Sequence, residues 1–162
     1  MNRLAPYLIS FAILISCPNR GAAEEGKIFK TKYTGIHYIA DKDIDDFIWR
    51  LGGQRLLFTG DASLASHRVD RIVERVQTIL DMRPHNFHVD IYLHRGLTDR
   101  RMVAFYEERS KSIRISVDYT TDGVLAHEIA HAVIDQYFVT SPPSKVQEIL
   151  TQYVDKYLWS DY

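Results

Sequence analysis

Apolar positions change period several times along this chain, and each change marks an element. Residues 33–39 mix Tyr, Thr, Ile and His and predict a strand. Ile44, Phe47, Ile48 and Leu51 recur at helical spacing and predict a short helix over 41–51, ended by Gly52-Gly53. Val69, Ile72, Val73, Val76, Ile79 and Leu80 form one stripe of a longer helix over 63–81, whose Arg68, Arg71, Glu74 and Arg75 read as a solvated face. Residues 87–93 alternate as a strand. Residues 102–106 and 113–117 predict two more, joined into a hairpin by the polar stretch 107–111. A helix over 123–138 stops at Ser141-Pro142-Pro143. Ser144 with Gln147 three residues on has the form of a capping box opening a last helix over 144–159. Along that helix Val146, Ile149, Leu150, Tyr153, Val154, Tyr157 and Leu158 form an apolar stripe expected to be buried. Strands followed by two helices predict an α+β fold, and residues 28–162 read as a single domain without repeats or linkers. Because the helix over 123–138 follows directly from strand 113–117, that strand is expected inside the sheet, which leaves 102–106 as the edge strand.

The N-terminus has a different character. Arg3 is followed by an uncharged, mostly apolar run from Leu4 to Ile15 and then by small residues ending in Gly21-Ala22-Ala23. That run is too short for a membrane span and suits a signal peptide over residues 1–23. Leu14-Ile15-Ser16-Cys17 also has the form of a lipobox, in which the signal would end at residue 16 and Cys17 would carry the lipid anchor. Either cleavage implies export, to the periplasm or to a lipid-anchored place in a bacterial cell envelope.

Composition narrows the chemistry. The 162 residues, with 46% hydrophobic and 25% charged, are ordinary for a globular domain, and a net charge of -1 gives no general attraction to nucleic acid. With one cysteine there is no intrachain disulfide and no cysteine-based zinc cluster, so a metal site must use His, Asp and Glu.

Such a site is encoded in His127-Glu128-Ile129-Ala130-His131, an HExxH motif. Residues four apart on a helix lie on one face, so both imidazoles can address one ion, and zinc accepts such nitrogens at about 2.0–2.1 Å. Glu128 is placed to act on water there. With seven His and seven Glu in the chain, a chance HExxH has odds on the order of 1%. His127, Glu128, His131 and Asp135 share a narrow polar arc of an otherwise apolar helix, and burying them without a cation would be costly. A third protein ligand is needed, and no His follows His131. Glu148, early in the last helix, is favoured over Asp135, which lies too far along the same helix. The pattern alone leaves open whether Glu148 faces the motif or solvent, because it sits opposite the apolar stripe.

The stretch Val124-Leu125-Ala126-His127-Glu128-Ile129-Ala130-His131, followed by Glu148 in a separate helix, resembles the gluzincin branch of zinc metallopeptidases, of which thermolysin is the familiar member. In size the chain resembles the minimal single-domain gluzincins. The resemblance covers about residues 113–159. It implies a small zincin-like domain whose mixed sheet lays its edge strand over the motif helix, with His127, His131 and Glu148 on zinc and Glu128 as the general base. Thermolysin-like members also carry an Asp four residues after the ligand Glu to orient a zinc-binding His. Here that position is Gln152, so Gln152, Asp135 or Asp155 must serve instead. The residues around 142–155 also resemble uncharacterised bacterial proteins, which names no substrate.

The expected function is that of a zinc-dependent metallopeptidase, monomeric, cleaving peptide or protein substrates with a zinc-activated water and Glu128 as general base. The alternative is a metal-binding envelope protein on a peptidase scaffold without turnover. Glu128 separates the two, since a purely structural site needs no general base. Tyr153 and Tyr137 are candidates for oxyanion stabilisation, although buried tyrosines of this kind more often pack in a core.

Overall fold

The structure, a computed structural model, describes residues 26–52, 62–97 and 102–160. The expected signal over 1–23, Cys17 and Gly53 lie outside these residues. The described elements run β1 (Lys27–Lys30), β2 (Thr34–Tyr38), α1 (Asp41–Arg50), α2 (Ala62–Leu80), β3 (Val89–His94), β4 (Ala104–Glu107), β5 (Ser112–Ser116), a 3-10 turn (Val117–Tyr119), α3 (Asp122–Tyr137) and α4 (Ser144–Tyr157). The fold is α+β, and β1 is a strand that the sequence pattern did not reveal.

The five strands form one mixed sheet in the order β1-β2-β3-β5-β4. The two central pairings, β2 with β3 and β3 with β5, are parallel, and the outer pairs are antiparallel. As expected, β5 lies inside the sheet and β4 forms an edge. Ser116 N–H donates to the Val103 carbonyl, so residues 103, 105 and 107 face β5. Ala104 and Tyr106 therefore turn their backbone groups outward.

Side chains alternate across the sheet. Ile36, Val89, Ile91, Ile113 and Ile115 line one face and are fully or almost fully buried against the helices. The α2 stripe of Val69, Ile72, Val73 and Val76 is fully buried, as its periodicity implies. Each such side chain contributes roughly 1.5–3 kcal/mol by leaving water. The α2 arginines, however, are not a simple solvated face. Arg68 donates to the Leu51 carbonyl and, at 2.5 Å, to Asp122, while Arg75 donates to the Tyr157 and Leu158 carbonyls. They tie α2 to the ends of α1, α3 and α4, which are distant in sequence.

The last helix differs most from its pattern. Only Thr151, Val154 and Leu158 are buried, whereas Val146, Ile149 and Tyr153 are 44%, 58% and 49% exposed. A terminal helix lying on α3 and α2 has neighbours along one narrow strip, too little to cover a wide apolar stripe. Nor does Ser144 cap it: Pro143 is the N-cap residue, and the Gln147 amide donates to the Pro142 carbonyl at 2.9 Å.

Candidate metal and catalytic site

α3 starts where Thr121 accepts a hydrogen bond from the Val124 N–H, a side-chain cap on the first turn. Its apolar residues Leu125, Ala126, Ile129, Ala130, Ala132, Val133 and Ile134 are fully buried, which fixes the rotation of the helix. Tyr137 and Phe138, at its C-terminal end, are exposed. The remaining arc presents His127, Glu128 and His131 to a cleft floored by α3, with α4 along one side and β4 along the other.

Glu148 does face this cleft. Its carboxylate oxygens lie 3.9 Å from His127 Nε2 and 3.5 Å from His131 Nε2. One donor atom from each of the three residues falls within 4.8 Å of the others. The imidazole rings stand 5.1 Å apart at 69°, so both can aim Nε2 at one point without stacking.

The opposite ring nitrogens are held by residues of α4. His127 Nδ1 is 3.0 Å from Asp155 Oδ2, and His131 Nδ1 is 3.3 Å from Gln147 Oε1. The Gln147 NH2 is committed to the Pro142 carbonyl, which leaves its oxygen for His131. Both partners are acceptors, so in its neutral form each imidazole carries its proton on Nδ1 and directs the Nε2 lone pair toward Glu148. Two lone pairs and a carboxylate converging on one point repel one another unless a cation sits between them. The donor set therefore suits a borderline metal such as zinc.

Glu128 stands apart from this trio. It is 8% exposed, and burial pushes its carboxyl pKa up, opposed by the neighbouring His127 and by a hydrogen bond from the Tyr106 backbone N–H. Burial likewise pushes the His131 pKa down, partly offset by Gln147. The Tyr106 amide is one of the outward groups of β4, so Glu128 and the sheet edge are in direct contact. Beyond it the cleft continues past Met102, Val103, Ala104, Gly123 and Val124, a mostly apolar pocket of about 360 Å³.

Other candidates are placed elsewhere. Asp135 accepts from Tyr106 Oη at 2.8 Å and from Ser141 Oγ at 2.6 Å, so it anchors β4 and the α3–α4 connection and takes no part in the donor trio. Gln152 is exposed and makes neither ring contact; Asp155, three residues further along α4, holds the His127 ring instead. Tyr137 and Tyr153 are 48% and 49% exposed, and neither lines the cleft. Sequence reasoning did not find Gln147 or Tyr106 as site residues. The only signal for Gln147 was its place one residue before Glu148, and nothing marked Tyr106.

No protein-family model, no curated protein and no solved structure matches this chain. The functional reading therefore rests on the geometry and chemistry of the cleft. Among the described residues no helix is long and apolar enough to cross a membrane.

Proposed function

We propose that this protein is a zinc-dependent metallopeptidase of the gluzincin type, exported to the bacterial envelope. The observation that carries the reading is the convergence of His127 Nε2, His131 Nε2 and Glu148 beside a separate, buried Glu128 at the foot of β4, the edge strand of the sheet among the described residues. His127, His131 and Glu148 would hold the ion. Bound there, zinc would polarise a scissile carbonyl and lower the pKa of a water toward about 7.

The chain's own groups supply the rest. Glu128 accepts a proton from water and returns it to the leaving amine. Asp155 and Gln147 hold the imidazoles in the tautomer that ligates. Ala104 turns its backbone N–H and carbonyl outward over the cleft, where an extended peptide can pair with it without regard to side chains. A non-catalytic metal protein would need the trio and its two orienting partners but has no use for Glu128, so the enzymatic reading accounts for more of the site.

The test is zinc content together with cleavage of a peptide library by the purified protein, with Glu148→Ala alongside. Stoichiometric zinc and metal-dependent cleavage, both lost in Glu148→Ala, are expected. Stoichiometric zinc with no cleavage of any peptide would leave the non-catalytic reading standing instead.

A further inference from the structure

The helices cover one face of the sheet, and the other face carries a groove distinct from the HExxH cleft, with Phe105 of β4 as the one residue that lines both. The register aligns one residue from each strand in a single row across it: Ile28, His37, Tyr92, Arg114 and Phe105. Within the row, His37 stacks on Tyr92 with ring centroids 4.3 Å apart and planes at 13°, and the Arg114 guanidinium sits 5.6 Å from the Tyr92 centroid. Stacking on both sides fixes Tyr92 and holds Arg114 at a set position. The groove encloses about 450 Å³, a volume that suits a small organic molecule.

Its chemistry is one-sided. Among the described residues, His37, His94, Arg95 and Arg114 line it and no carboxylate does. On this face Asp90 is taken up by His37 at 2.9 Å. Gly35 makes that contact feasible, because a Cβ there would lie 2.6 Å from the Asp90 carboxylate. Arg95 is satisfied by Asp43, Asp46 and Asp118. Arg114 is exposed and has no hydrogen-bond partner among the described residues; its only contact of this kind is with the Tyr92 ring. Beside it, His94 and Ser116 are paired across β3 and β5, and His94 Nε2 and Ser116 Oγ are both buried without a hydrogen-bond partner among the described residues. A buried polar atom without a partner is costly, and of these two His94 lines the groove, where a ligand could supply its partner. The remaining walls are apolar: Ile39 and Leu97 are half-exposed, and Phe105 closes the far end of the row.

We propose that this groove is a second binding site, for a small organic anion whose carboxylate or phosphate pairs with Arg114 while an apolar or aromatic body lies against Phe105, Leu97 and Ile39. Arg suits this role because its planar fork can hold either head group with two parallel hydrogen bonds. The head-group contact is independent of the peptidase reading, since Arg114 lines only this groove, and Phe105 alone is shared with the HExxH cleft.

Calorimetric titration of the full chain tests it with three probes: N-acetyl-phenylalanine, phenyl phosphate and the neutral N-acetyl-phenylalaninamide. At least one anion should bind, at least about tenfold more tightly than the amide, and the tighter anion names the head group. Arg114→Gln, a change at an exposed side chain checked by an unchanged thermal melt, should weaken that anion at least about tenfold. Glu148→Ala should bind it as wild type does. Failure of both anions to bind, equal binding of the amide, or unchanged affinity in folded Arg114→Gln would overturn the proposal. So would binding lost in Glu148→Ala but kept in Arg114→Gln, which would place the anion at the HExxH cleft.

Discussion

Replacing Asp155 by Ala should weaken zinc binding although Asp155 is not a ligand. The carboxylate accepts from His127 Nδ1 at 3.0 Å and so fixes both the tautomer and the ring plane of that ligand. A hydrogen bond to a charged group is worth about 1.5–3 kcal/mol. The Asp155 side chain is 42% exposed, and solvent screening places the effect near the lower end, about 1.5 kcal/mol or roughly tenfold in affinity. Gln147 makes the corresponding contact to His131 at 3.3 Å with a neutral oxygen, so Gln147→Ala should cost only about 0.5–1 kcal/mol, roughly two- to fivefold. Asp155→Asn keeps an acceptor and loses the charge, and should fall between wild type and Asp155→Ala. Gln152→Ala, at an exposed side chain that contacts neither imidazole, should change affinity by less than about twofold. Competition for zinc against a chromophoric chelator measures all four variants on one scale. Wild-type affinity in Asp155→Ala, or a loss in Gln152→Ala as large as in Asp155→Ala, would refute the assignment of the orienting role.

Four further outcomes are expected. Glu128→Gln should retain stoichiometric zinc by metal analysis and lose about 10²-fold or more in peptide hydrolysis, because it removes the proton acceptor without touching the donor trio. Ala104→Pro removes an outward backbone donor and should slow cleavage with little change in melting temperature; Phe105→Pro removes a donor directed at β5 and should lower the melting temperature itself. Ile129→Ala, at a fully buried position behind the motif, should destabilise the fold by about 2–5 kcal/mol in denaturant unfolding, by lost burial and the cavity left behind. Cys17→Ser should move the protein from the membrane fraction to the soluble fraction on cell fractionation, and continued membrane association would count against the lipid anchor.

The parts of this protein that could be read along the chain are those set by local geometry. Four residues make about one helical turn, so the spacing of His127 and His131 places both imidazoles on one face whatever the rest of the fold does. The α2 stripe of Val69, Ile72, Val73 and Val76 likewise identified its own buried side. The direct run from β5 into α3 put β5 inside the sheet and β4 at its edge, as found. The last helix was different, because two of its faces had a claim to the interior: the apolar one bearing Val146, Ile149 and Tyr153, and the polar one bearing Glu148 and Asp155. Periodicity ranks faces by hydrophobicity and favoured the first. What decided the matter was rotation against α3, where Thr151, Val154 and Leu158 found neighbours and the polar flank met the two histidines. The same holds for Tyr106, whose backbone reaches Glu128 and whose hydroxyl reaches Asp135 only once β4 is laid along α3. It holds again for the row of His37, Tyr92 and Arg114, which only strand register brings together. A helical turn is written into backbone geometry over a few residues, whereas contacts between residues tens of positions apart depend on how whole elements pack.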